Sequence, residues 1–336
     1  MILPGSDPAA IQAAAQALAR GELVGLPTET VYGLGSDADN PQAVARVFAA
    51  KGRPSDHPLI VHVTDAGQAD RYAVNIPPVA RRLMAAHWPG PLTLILPRRP
   101  GVAEASAGGQ DSIGLRCPSH PVAQALLHAA QSLGVHGVSA PSANRFGRVS
   151  PTTARHVRDE LGEALLVLDG GACEVGIESS IIDCTRSQPV LLRPGMLPLD
   201  MLSESGGVPV LTPDEFAQMN TPSATAPRAS GTLESHYAPT ARLHILDRAS
   251  LLARLDALPD SPGRLRWAVW ARSPLPAPPH VWVVPMPQAA ADCAQVLFAQ
   301  LRTFDDQHVD EVLVEAPPAA APWDGVRDRL RRASAR

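Results

Sequence analysis

The chain has 336 residues, 45% of them hydrophobic and 18% charged, with a net charge of −4. That length exceeds one ordinary core and predicts two domains; the apolar share excludes a disordered chain, and the slightly acidic balance excludes a basic nucleic-acid-binding tail. No apolar run approaches a membrane span and the N-terminal stretch lacks the pattern of a signal peptide, so the protein is expected in the cytoplasm.

In chain order, Asp7 followed by Pro8 starts a helix to Arg20, and a strand from Glu22 to Leu26 then runs into the loop LPTETVYGLG, Leu26 to Gly35. Loops just past strand ends in α/β sheets are where small polar groups and bare backbone meet ligands. Asn40 and Pro41 start a second helix to about Ala50. The run LIVHV (Leu59 to Val63) reads as a strand. Helical patterns follow at Pro77 to His87 and Pro121 to Ser132, with strands in TLILP, SIGLRC, ALLVLD, SSIID and PVLLRP. Strands that do not strictly alternate with helices predict a mixed sheet. Residues 203–232, rich in Ser, Gly, Pro, Thr and Ala, read as a linker. From Ala241 a second α/β pattern predicts a compact, largely parallel sheet. The resulting division is a first domain at 1–205, a linker at 206–240 and a second domain at 241–336.

Several chemistries lose their support. Lys51, the only lysine among 29 basic residues, is followed by Gly52 and not by the Ser or Thr that a Walker A loop needs, so no Walker A loop is present. Gly33 to Ala38 matches GxGxxA, but it stands too far from its strand and the next helix waits for Pro41. Gly137 to Pro141 misses the nucleophile elbow at its last position, and there is no HExxH. The four cysteines, Cys117, Cys173, Cys184 and Cys293, form no CxxC pair and signal neither zinc nor disulfides.

What remains is a set of polar loops, each after an apolar run: KGRPSDHPL, PGPLT, LRCPSHP, APSAN with SPT, ESSIID and LLRPG. They supply Lys51, Arg53, Arg116 and Arg193, several hydroxyls and the amide of Asn144. Singly, each has an ordinary reading as a solvated arginine, a helix cap or a packing histidine. Together they make a site that orients and neutralises a polyanion, which suits phosphoryl or nucleotidyl transfer. A non-catalytic RNA-binding protein, using the same cations on a phosphate backbone, is the alternative.

With PTETVYGLG at their head, these motifs in this order resemble the YrdC-type domain of the L-threonylcarbamoyladenylate synthases, and the downstream SHYAP (Ser235 to Pro239) is similar to their long two-domain form. The resemblance implies a twisted mixed α/β sheet with a positively charged concavity, followed by a smaller Rossmann-like domain. It implies synthesis of L-threonylcarbamoyl-AMP and pyrophosphate from L-threonine, bicarbonate or CO2, and ATP, for N6-threonylcarbamoyladenosine in tRNA. Threonine would meet Thr30, His62, Arg116, Ala140 and Ser179. ATP would meet Arg53, His57, Ser112, Ser142, Ser150, Arg193 and Tyr237, with Lys51 beside the phosphates and Lys51 and Arg53 as the catalytic pair. Magnesium would ride on the ATP phosphates, and the product would pass to the downstream tRNA threonylcarbamoyl-transfer machinery. Glu29 receives no role. The linker departs from the family's PGMKYRHYAP, reading SGTLESHYAP here. The segment from Gly231 to Pro239 is nevertheless expected to cover the site, with Tyr237 near ATP.

Overall fold

The computed structural model describes residues 1–219, 227–229, 231, 236–258 and 265–335. Two compact units are present, one made of residues 1–146 and 150–232, the other of 147–149 and 233–336.

In the first unit the strands are β1 (Ile2–Pro4), β2 (Val24–Leu26), β3 (Gly33–Asp37), β4 (Ile60–His62), β5 (Leu92–Pro97), β6 (Ser112–Arg116), β7 (Val138–Ser139), β8 (Leu166–Asp169), β9 (Ser180–Asp183) and β10 (Val190–Arg193). They form one sheet in the order β1-β8-β2-β3-β7-β4-β6-β5-β9-β10. Neighbours are parallel in some pairs, such as β4 with β6, and antiparallel in others, such as β5 with β6, so the sheet is mixed as the pattern implies.

Local chemistry places the helices. Asp7 caps Pro8–Ala19 by accepting the Ala9 N–H at 2.9 Å, and Asn40 caps Pro41–Lys51 by accepting from Gln42 and Ala43 at 3.0 and 3.1 Å. The second of these buries Val44, Val47, Phe48 and Lys51, the i, i+3, i+4, i+7 stripe of a core-facing helix. A lysine therefore ends a stripe that amphipathic patterning reserves for apolar side chains. The helix stops at Gly52 with φ of 61°, a left-handed residue that glycine adopts without strain, and the chain turns at once into Arg53.

The expected linker is partly helical. Leu199–Gly206 and Pro213–Met219 are helices, and Leu202 and Val210 are buried in the same core cluster as Leu83 and Leu94. Leu202 falls in the expected first domain, but within the stretch read as a linker small and polar composition concealed the apolar anchor Val210, and the first unit extends well beyond residue 205.

The second unit holds β11 (Arg242–Leu246), β12 (Trp267–Ala271), β13 (Trp282–Pro285) and β14 (Glu311–Glu315), all parallel in the order β11-β14-β12-β13. Ala290–Asp306 buries Cys293, Leu297, Phe298, Leu301 and Phe304 along one face. This is the parallel α/β architecture that the alternating pattern predicts.

Candidate active site

Strand register gathers the first group of side chains. In-register partners run Val138, His62, Arg116, Thr93, Ile181 and Arg193 across β7, β4, β6, β5, β9 and β10. Residues directly opposite on paired strands project to the same face, so one row carries His62, Arg116, Thr93 and Arg193 together. Ser179, two residues before Ile181, joins them. Its hydroxyl is 2.8 Å from that of Thr93 and accepts from Arg193 Nη2 at 3.2 Å, while its carbonyl accepts from Arg193 Nε at 3.0 Å.

Arg116 is the centre of this row. It is 4% exposed, donates to the Thr30 hydroxyl at 2.8 Å, and lies 2.7 Å from Glu29 in an ion pair whose angle falls outside hydrogen-bond geometry. Thr30 is held by the loop itself, its N–H donating to Thr28 Oγ1 at 3.2 Å and its hydroxyl standing 2.9 Å from that of Thr28. Burial, and then the charge of Arg116, push the His62 imidazole down to about 3, so it stays neutral. Its Nδ1 is buried and makes no hydrogen bond among the described residues. A buried ring nitrogen left in that state beside an arginine fork is a polar contact that a ligand can complete.

The second group forms around Lys51. Lys51 is 3% exposed, and its ammonium donates to the carbonyls of Ser142 and Asn144. Burial, and then the neighbouring Arg53, bring its pKa from 10.5 down to about 7. The Ser142 loop is tied to the rest of the site by backbone bonds: Leu34 N–H to Pro141 O at 2.8 Å, Ala143 N–H to Tyr32 O at 2.9 Å, and Ala140 N–H to Ile60 O at 3.0 Å. Ala140 and Ser142 thus lie between the PTET loop and β4. Arg53 donates to Pro58 O at 2.9 Å and its guanidinium stands 5.9 Å from the Phe146 ring centroid, against which His57 packs edge-on at 5.5 Å. Burial and Arg53 lower the His57 pKa. The Ser150 hydroxyl donates to Glu178 at 2.5 Å.

A pocket opens on the face that carries the row, lined in part by Pro58, Ile60, Thr93, Ile95, Ser112 and Gly114, and also by Arg228 and Ala229. Arg228 clasps this rim: its N–H donates to Gln110 at 2.7 Å, and its guanidinium pairs with Asp56 at 2.7 Å and donates to Gly108 O at 3.0 Å.

Twelve of the thirteen expected site residues, from Thr30 to Arg193, fall within the first unit. Tyr237 does not. It belongs to the second unit, 1% exposed with φ of 63°, 5.3 Å from the Phe298 ring and with the Arg329 guanidinium 5.4 Å from its own ring centroid. Of the expected cover, residues 232–235 lie outside the described residues. Sequence reasoning missed Arg228, Phe146, Thr93 and Glu29. Thr93 had a signal, its place as the last residue of PGPLT at the head of an apolar run, whereas the others are single residues in loops.

A family model described as "Telomere recombination", that of the Sua5, YciO and YrdC proteins, matches residues 16–195, and one described as "Threonylcarbamoyl-AMP synthase, C-terminal domain" matches 199–335. The threonylcarbamoyl-AMP synthase of Pyrococcus abyssi is 36% identical, with 96% of this chain and 94% of that one covered. The Bacillus subtilis enzyme of the same name is 35% identical over 99% and 94%. The crystal structure of P. abyssi Sua5 complexed with L-threonine superimposes with a TM-score of 0.84 at 34% identity, covering 98% of this chain and 95% of that one. The two family models divide the chain near the end of β10, and the curated relatives span both parts. The chain belongs to the threonylcarbamoyl-AMP synthase family, in its two-domain form.

Proposed function

We propose that the chain joins L-threonine, bicarbonate or CO2, and ATP into L-threonylcarbamoyl-AMP, with release of pyrophosphate. The observation that carries this reading is the buried row in which Arg116 stands between the Thr30 hydroxyl and neutral His62. A guanidinium fork suits an α-carboxylate, and a hydroxyl and an imidazole suit a β-hydroxyl. That is the polar outline of threonine.

The mechanism uses the second group for the nucleotide. The threonine ammonium gives up its protons to solvent and adds CO2 as a carbamate, whose oxygen attacks the α-phosphorus of ATP and displaces pyrophosphate. Lys51 has three N–H donors, of which Ser142 O and Asn144 O take two, leaving one for a phosphate oxygen. Its low pKa rises as the anion arrives, so the charge appears where it is needed. Arg53 and Arg193 offset the remaining phosphate charge, while the pocket with Ser112 and Gly114 receives the nucleoside. Among the described residues no group of three or more carboxylate, histidine or cysteine side chains stands together. The donor set therefore fits a magnesium ion carried on the nucleotide phosphates more than one caged by protein; it would supply charge neutralisation there.

No helix among the described residues is long and apolar enough to cross a membrane. We place the reaction in the cytoplasm, with the adenylate passed to the tRNA threonylcarbamoyl-transfer machinery. Incubation with ATP, magnesium, threonine and bicarbonate should yield pyrophosphate and a threonine-bearing AMP adduct by mass spectrometry. Pyrophosphate release that ignores threonine would refute the assignment.

A further inference from the structure

Glu29 has no part in the reaction above, yet the fold spends a buried position on it. Its side chain is 5% exposed and lies 2.7 Å from Arg116, its second oxygen accepts the Ser119 N–H at 3.2 Å, and its carbonyl accepts the Val175 N–H at 2.8 Å. Three titratable groups beside the pair are held neutral. His62 is discharged by burial and by Arg116, and burial pushes the thiols of Cys117 and Cys173 up to about 11 and about 12. Around Thr30 the row thus holds one cation, Arg116, and one anion, Glu29; the row's other cation, Arg193, stands three strands away on β10, where it donates to Ser179.

That balance decides which ligand enters at least cost. A desolvated site of net charge zero accepts a net-neutral ligand without leaving a charge uncompensated, whereas Arg116 alone would favour a net anion. We propose that Glu29 is a specificity-determining residue that makes this subsite select a zwitterion, its carboxylate serving the α-ammonium of the amino acid while Arg116 serves the α-carboxylate. The proposal rests on threonine being the substrate. It separates threonine from hydroxy acids of the same shape, which share the carboxylate and the hydroxyl and lack only the ammonium.

Calorimetry of the full chain tests this with L-threonine and its des-amino analogue 3-hydroxybutanoate. The wild type is expected to prefer threonine by about 100-fold or more, and Glu29→Gln to reduce that preference below about tenfold, mainly by weakening threonine. Glu29→Asp should keep most of it. A merely structural Glu29 predicts that Gln weakens both ligands alike, and that result overturns the proposal. Should the Gln variant not fold, the wild type alone decides: in buffers of different ionisation enthalpy near pH 7.5, threonine uptake should exchange almost no protons. Release of about one proton would show the amine bound neutral and overturn the idea. If the wild type binds no threonine, the functional reading fails and the proposal with it. Tight threonine binding with unchanged preference in Glu29→Gln defeats the proposal alone.

Discussion

Replacing Lys51 by Met should raise stability while abolishing turnover, and the gain should depend on pH in a calculable way. In the fold the ammonium titrates at about 7 against 10.5 for an unperturbed lysine. Between those values the unfolded chain binds more protons than the native one, so the wild type gains stability as pH rises; the penalty is full below about 7 and gone above about 10.5. Linkage puts it at roughly 4 kcal/mol at pH 7 and about 2 kcal/mol at pH 9. Methionine removes the penalty but also the two hydrogen bonds to Ser142 O and Asn144 O, at about 1 kcal/mol each. The variant should therefore be about 2 kcal/mol more stable than the wild type near pH 7 and about equal near pH 9. Urea melts of both proteins at the two pH values measure the difference. Saturating ATP should erase much of the wild type's slope, because the phosphates restore the charge. Parallel pH dependences in the two apo proteins would show that Lys51 stays protonated on its carbonyl ligands, and the argument would fail.

Arg116→Ala should weaken threonine binding by about 3 to 5 kcal/mol, since it also strands the Glu29 carboxylate; normal threonine affinity with poor ATP affinity in calorimetry would mean the two substrates have been exchanged. A Cβ on Gly114 would meet Ile60 and Thr93 at 3.5 and 3.6 Å, ordinary contact distances, so Gly114→Leu should fold and fill the pocket. It is expected to lower ATP affinity at least about tenfold with little effect on threonine, and unchanged nucleotide binding would move the nucleoside elsewhere. Asp328→Ala removes the carboxylate that receives Arg329 at 3.0 Å and Arg332 at 2.9 Å, leaving Arg329 buried without it. It should cost about 3 to 5 kcal/mol in the second unit, read as faster amide exchange there with protection in the first unit retained. Uniform exchange loss across the whole chain would contradict that localisation.

The sequence was most readable where one residue type has few uses. Asp7 and Asn40 announce helix starts, and both cap as expected. Lys51 stands out as the lone lysine and again as a charge on an apolar stripe. The mixed sheet and the parallel second sheet also follow from the pattern. Strand order was not readable, because β4 lies between β6 and β7, whose partners arrive from more than 40 residues away. Arg228 sat in a stretch whose Ser, Ala and Pro content resembles a tether, and only Gln110, Asp56 and Gly108 reveal its clasp. Tyr237 was read beside a nucleotide by resemblance alone; its packing on Phe298 and Arg329, some 60 and 90 residues downstream, left no local signal in the sequence.

The row from His62 to Arg193 has a consequence for how the protein matures. Its members come from strands spread over more than half of the first unit, and each faces inward only if its strand pairs in the observed register. A slip of one residue in β6 would turn Arg116 to the opposite face and leave Glu29 without its cation. Such non-local pairings are the slow ones, because chain entropy is lost before the contacts form. No fragment ending before β10 holds Arg193, so the full row, and with it the charge offered to the phosphates, should be completed in one late step.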